Sequence, residues 1–261
     1  MNSKLITGGA FLLLTGCATV NMQGASNPTF DSLALVYLSQ QGLDDKNVVH
    51  YINSYDRSYR EYHARVESGA GVQEMIAQTR GTLSEKIGKG PQSFRTELTN
   101  MRALQYSKEE QGFPIAVLGS FNRATELELS YGNRNITSTI GGQAIGGVEW
   151  VTKNTRWDMG YSGVAVKLDA RGWILPADEA DAVKMIRHFA DPEAPGKNAR
   201  KIHVKIVYSV GNCLPPKGAG VSSDIDEHVI VCKGLIERMS AYTTRGGLIA
   251  EMRNTLNPPR Q

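Results

Sequence analysis

Three cysteines, a row of tyrosines at helical spacing and two glycine pairs are the residues whose types and spacing bear on chemistry. Cys213 and Cys232 flank the loop PPKGAG at Pro215 to Gly220. In an oxidising compartment a bridge between them would staple two strands, worth about 3 kcal/mol on the chain-entropy relation. The alternative is two separately buried thiols, because spacing alone does not supply the Cα separation that a bridge requires. A metal site is not expected. No C-x-x-C pair occurs, and His203 and His228 lack paired ligand spacing. No cofactor is implied by any motif.

The stretch HYINSYDRSYREYHARV (His50 to Val66) places Tyr55, Tyr59 and Tyr62 on one side of a helix. Such a row stacks sugars or forms a docking face for a ligand or partner. It also reads as a packing face, since the same stripe begins at Val48 and Ile52 and ends at Val66. His50 and His63 are too far apart for the i, i+4 geometry of a helical zinc pair. In IGGQAIGGVEW the pairs Gly141, Gly142 and Gly146, Gly147 precede Val148-Glu149-Trp150. The Lys and hydroxyl residue that a phosphate loop needs are missing, so a bulged sheet connection or a mobile lip is expected.

GYSGV at Gly160 to Val164 fails as a nucleophile elbow, because Val164 stands where the motif needs glycine. Asp178, Glu179 and Asp181 read as the capped, acidic start of a helix, in preference to an acid/base set. Lys197, Arg200, Lys201 and Lys205 read as a solvated face. No catalytic residue is assigned.

Cys17 is a different case. Met1 to Lys4 carries one positive charge, Leu5 to Leu14 is apolar and small, and Thr15 and Gly16 then precede the cysteine. This is the layout of an export signal, too short to span a bilayer. LTGC (Leu14 to Cys17) resembles the bacterial lipobox. That resemblance implies a diacylglycerol on the Cys17 thiol, cleavage before Cys17, and anchoring of the chain to a membrane by several acyl chains. Ala18 stands where an Asp would commonly retain such a protein at the inner membrane. The outer membrane, facing the periplasm, is therefore the expected location.

With Cys17 set aside, the other two cysteines form an even pair. The chain has 261 residues, 41% hydrophobic and 21% charged, which suits a folded globular product and argues against disorder. A formal charge of +3 gives no electrostatic case for a nucleic-acid partner.

The elements that must position these residues follow from period. Residues 1–16 read as signal peptide and 17–29 as a flexible tether; 30–90 form a helical region and 91–261 a β-rich domain. Helices are expected from Phe30 to Gly42, through the tyrosine stripe Val48 to Val66, and from Val72 to Ile87. Strands are expected at Phe94 to Leu98, where helical spacing through Met101 and Leu104 competes, and as a buried run over Pro114 to Phe121. Further strands are expected at Leu127 to Tyr131 and Tyr161 to Leu168, the latter returning through DARG to Trp173–Leu175. One helix, Asp178 to Ala190, should bury Ala182, Val183, Ile186, Phe189 and Ala190. Lys201 to Val210 and His228 to Cys232 complete the clear strands. Leu235 to Met252 is ambiguous, with RGG at Arg245 to Gly247 favouring two strands. Few helices separate the strands, so the expected class is α+β, a mainly antiparallel sheet with one inserted helix.

YSKEEQGFPI (Tyr106 to Ile115), LPADEADAV (Leu175 to Val183) and the strand at Lys201 to Lys205 are similar to exported bacterial domains of unassigned function. That resemblance carries no site. The leading expectation is a non-enzymatic outer-membrane lipoprotein, an interaction or assembly module with an envelope protein partner. A periplasmic small-ligand or glycan binder is the second reading, and a hydrolase with a noncontiguous site the third.

Overall fold

A computed structural model describes residues 24–133, 160–189, 200–216 and 228–254. The expectations for residues 1–16, Cys17, the glycine pairs at Gly141 to Gly147, Ala190 and Lys197 lie outside them. Helix α1 (Phe30–Gln41) begins where the Thr29 hydroxyl accepts from the Ser32 amide and ends at Gly42, whose φ is 90°. The apolar stripe Phe30, Leu33, Ala34, Tyr37 and Leu38 is buried as expected. Helix α4 (Val72–Ile87) likewise buries Met75, Ile76 and Leu83.

The tyrosine stripe does not form one helix. It splits into α2 (Asp45–Asn53) and α3 (Asp56–Ser68), with Ser54 and Tyr55 between them. The cause is a distant segment lying against the break. Gly160 approaches so closely that a Cβ there would stand 2.1 Å from the Ser54 nitrogen. The Tyr161 amide donates to the Ser54 hydroxyl (2.8 Å), and the Asn133 side-chain amide donates to the carbonyls of Ser54 (2.8 Å) and Tyr161 (2.9 Å). Local spacing favoured a continuous helix; these buried hydrogen bonds from elsewhere in the chain take the Ser54 groups instead.

Among the described residues nine strands form one mostly antiparallel sheet: β1 (Ser93–Ala103), β2 (Gly112–Val117), β3 (Glu126–Gly132), β4 (Gly163–Asp169), β5 (Trp173–Pro176), β6 (Lys201–Leu214), β7 (Val229–Tyr242), β8 (Leu248–Glu251) and β9 (Arg253–Asn254). Their order is β3-β4-β7-β6-β1-β2-β5-β9, with β8 also paired to β7. The β3 and β6 strands are separated by two others, yet the hydroxyls of Tyr131 and Tyr208 lie 3.0 Å apart, so the sheet curls on itself. Helix α5 (Glu179–Phe189) is inserted between β5 and β6 and sets Phe189 edge-on to Phe113, 5.2 Å between ring centres. An α+β fold with an inserted helix results.

The strand expected at Phe94 to Leu98 forms and runs on through Met101, with a bulge where its register shifts against β6. Other expectations are corrected by the pairing. Trp173–Leu175 turns through DARG but does not return alongside β4; β4 pairs with β3 and β7, while β5 pairs with β2 and β9. The β4–β7 pair is parallel. The run PIAVLGSF leaves the sheet at Val117, and Phe121 is 83% exposed. Among the described residues of the expected α5 stripe Ala182 and Phe189 are buried, while Val183 and Ile186 face water at 58% and 38% exposure. That helix packs along a narrower strip than its apolar pattern suggested.

Two findings extend the sequence reading. Strand β7 runs through Leu235 to Tyr242, and RGG forms the turn into β8, so Leu235 to Met252 does hold two strands. Ser26 and Asn27, within the span read as tether, are already bound to β1. The Ser26 amide donates to Ser93 O, the Arg95 amide donates to Ser26 O, and Arg95 Nε donates to Asn27 Oδ1.

Candidate functional site

At the far end of β6 and β7 the cysteines meet. Cys213 and Cys232 are directly opposed in the antiparallel ladder, with sulfurs at the bonding distance of 2.03 Å and Cα atoms 3.9 Å apart. The register shifts between Val210 and Cys213, so Gly211 and Asn212 bulge out of the ladder. The C-terminal turn of α1 seals this bulge. Gln40 Nε2 donates to Gly211 O (2.7 Å), the Cys213 amide donates to Gln40 Oε1 (2.9 Å), and Gln41 Nε2 donates to Cys213 O (3.2 Å). Both cysteines are buried, and a bulge that would otherwise leave backbone groups unpaired is satisfied by two side chains.

Beside the disulfide a cleft of about 660 Å³ opens over β3, β4, β6 and β7. Strand alternation sets its charges. Glu128 on β3, Lys167 on β4 and Lys233 on β7 are register neighbours, and Glu126 is opposite Asp169. Lys167 Nζ lies 3.1 Å from Glu126 and 4.0 Å from Glu128. Arg171 grips Asp169 in a bidentate pair, with Nε donating at 2.9 Å and Nη2 at 2.6 Å. The Arg171 hydrogen bond holds the Asp169 carboxyl below its ordinary value, and the same bond pushes the guanidinium up. The like-charged Lys167 and Lys233 stand side by side, an arrangement that a sheet tolerates at some cost. Chemically the cleft offers ion pairing and hydrogen bonding to a charged partner; its groups suit binding.

The tyrosines singled out by spacing are dispersed. Tyr55 caps α3; its hydroxyl donates to the Asp31 carboxylate and lies 2.9 Å from the Tyr51 hydroxyl. Burial, and then the Asp31 hydrogen bond, push that phenol far up. The Tyr59 ring packs on His63, 4.2 Å between centres, while Tyr62 is half-buried against the core. None of the three lines the cleft. Tyr55 and Tyr62 are partly buried and pack against the core, as the packing reading expects.

Other singled-out groups have structural partners. Ser162 of GYSGV is buried, its amide donating to His228 O and its carbonyl accepting from the Asn133 amide. Asp178 accepts from the Asp181 amide (2.7 Å), Glu179 pairs with Lys108 (2.8 Å) and Asp181 with Lys184 (2.8 Å), the pattern of a capped helix start. Arg200 donates to Leu104 O (2.7 Å), and Lys205 sits over the Tyr242 ring at 4.4 Å. His203 pairs with Glu97 at 3.1 Å. Among the described residues no group of His, Cys, Asp and Glu is placed to hold a metal ion.

Sequence reasoning missed the cleft. Its signal was the alternation of Glu126, Glu128, Lys167 and Asp169 on strands already recognised, but their meeting with Lys233 depends on the parallel β4–β7 pair. No protein-family model matches the sequence, and neither a curated protein nor a solved structure is detectably similar to it.

Proposed function

We propose that this chain is a lipid-anchored protein of the cell envelope, held at the periplasmic face of the outer membrane through an acylated Cys17, whose folded body binds an envelope protein partner. The observation that carries the anchor is one of elimination. The chain has three cysteines, and Cys213 and Cys232 are committed to each other, so Cys17 is the remaining cysteine and it stands within LTGC. A disulfide suits an exported protein, and Ala18 favours the outer membrane over retention at the inner one. No helix of the described residues is long and apolar enough to cross a membrane.

Mass spectrometry of the mature protein tests the anchor. The expected result is an N-terminal peptide beginning at an acylated Cys17; an unmodified peptide running through Thr15, Gly16 and Cys17 would overturn it. The interaction role is read at the charged cleft, which supports binding to a partner segment of mixed charge. Crosslinking in whole envelopes should recover one reproducible partner, lost in the charge-reversed K167E/K233E variant and retained in a variant altered on α5, V183A.

The cleft also favours a second reading. A hollow of about 660 Å³ falls within the range of small-molecule sites. A compound that protects the wild type from heating, but not K167E/K233E, would favour a small-ligand binder.

A further inference from the structure

The turn between β2 and β3 holds Phe121, the most exposed large apolar side chain among the described residues at 83%. The turn itself is built tightly. Gly119 takes a φ of 88°, the Ser120 amide donates to Val117 O (2.9 Å), and the Asn122 amide donates to the Ser120 hydroxyl (3.1 Å). It is fixed to the sheet on both sides, by the Leu118 amide donating to Asn100 O (2.6 Å) and the Ala124 amide to Ile115 O (2.9 Å). An ordered turn thus holds an aromatic ring out in water, and the Arg102 guanidinium lies over that ring, 5.2 Å from its centre. Arg123, bound to Glu110 through Nη1 (2.7 Å), follows two residues later.

The chain enters the fold on the same edge of β1. Ser26 bridges to Phe94 there, and further along that edge β2 pairs with β1 and leads into the turn. From the level of Phe94 to that of Asn100 is about 20 Å at roughly 3.3 Å per strand residue. The covalent chain from Cys17 to Ser26 spans at most about 30 Å when extended. An acyl group on Cys17 and the ring of Phe121 are therefore within reach of one bilayer surface.

We propose that the β2–β3 turn is a second membrane contact, in which Phe121 enters the interfacial layer while Arg102 sits among anionic phosphate headgroups. The proposal rests on the lipid-anchor reading for its geometry. A lipid surface fits better than a protein partner because a single ring on a tight turn provides little of the roughly 800 Å² per side that a stable protein interface uses. Interfacial seating requires only an exposed apolar ring and a nearby cation. The ring gains by leaving water, and the anchor has already made the bilayer close at hand.

The test uses the full chain, purified from membranes and reconstituted in phosphatidylethanolamine–phosphatidylglycerol vesicles with or without brominated acyl chains. Tryptophan emission of F121W is read as the difference from the wild type, which supplies the background of the native tryptophans. L214W is the control. Leu214 is exposed and lies about 40 Å along β6 from the turn's end of the sheet, taking ~3.3 Å per residue. A blue shift and quenching for F121W, with neither for L214W, is the expected result. Water-like, unquenched F121W emission on vesicle-bound protein overturns the proposal, as does equal quenching of both variants. N-terminal mass on the same samples separates the two readings. Quenched F121W on an unacylated chain keeps the turn contact and rejects the anchor; unquenched F121W on an unacylated chain rejects both.

Discussion

Replacing Gly160 with alanine tests the claim that a distant segment breaks the tyrosine helix. The added Cβ would stand 2.1 Å from the Ser54 nitrogen, 2.4 Å from the Asn53 carbonyl carbon and 2.5 Å from the Ser54 Cα, all backbone atoms that no rotamer change can move aside. Overpacking of a well-packed interior costs about 1–3 kcal/mol. Pushing the segments apart also strains the bonds from Tyr161 and Asn133 to Ser54. These residues are all at most 1% exposed, so each bond lost leaves a buried group costing about 1–3 kcal/mol. The expected destabilisation of G160A is at least about 3 kcal/mol, or roughly 6–12 °C in Tm for a chain of this size.

The assay is urea unfolding followed by far-ultraviolet circular dichroism, with G81A alongside. Gly81 lies inside α4 with nothing within 4 Å of its added Cβ. There the same substitution should stabilise by about 0.5–1 kcal/mol, because alanine is the better helix former. Opposite signs for one chemical change are the diagnostic outcome. A loss below about 1 kcal/mol for G160A would refute the contact between Gly160 and the helix break.

Removing the disulfide in C213A/C232A should cost about 3 kcal/mol on the chain-entropy relation; equal urea midpoints for the oxidised protein and the variant would refute the bridge. Six of the ten tyrosines (Tyr37, Tyr51, Tyr55, Tyr131, Tyr161 and Tyr208) have phenols pushed up, in each case chiefly by burial. Because burial favours the neutral phenol, their contribution to stability is full below the unfolded value near 10 and is lost as pH rises above it toward the folded values. Absorbance near 295 nm should therefore show these six phenols ionising only together with alkaline unfolding. Smooth ionisation of all ten near pH 10 in folded protein would contradict the burial.

Helices α1 and α4 were legible because their apolar residues recur at helical spacing and glycine follows α1. Strands β3 and β6 were legible because Leu127, Leu129 and Tyr131, and Ile202, Val204, Ile206 and Tyr208, alternate with polar residues. Phe121 misled because it closes an apolar run, yet the run leaves the sheet four residues earlier, at Val117. Val183 and Ile186 misled in the same way, since an apolar pattern records what a helix can bury and not how much surface it meets.

Of the candidate sites, the cysteine pair was readable from flanking loop and compartment, whereas the charged cleft was not. The sequence by itself determined the local periods, the helix cap at Asp178 as a chemical opportunity, and the isolation of Cys17 from the other two cysteines. Only the tertiary structure decided the break at Ser54, the parallel pairing of β4 with β7 that sets Lys167 beside Lys233, and the curl that brings Tyr131 to Tyr208. The reason is physical: periodicity is set by consecutive residues, which any short stretch carries with it. Strand order and cross-chain hydrogen bonds depend on which distant groups bury one another best, and that competition is settled only when the whole chain packs.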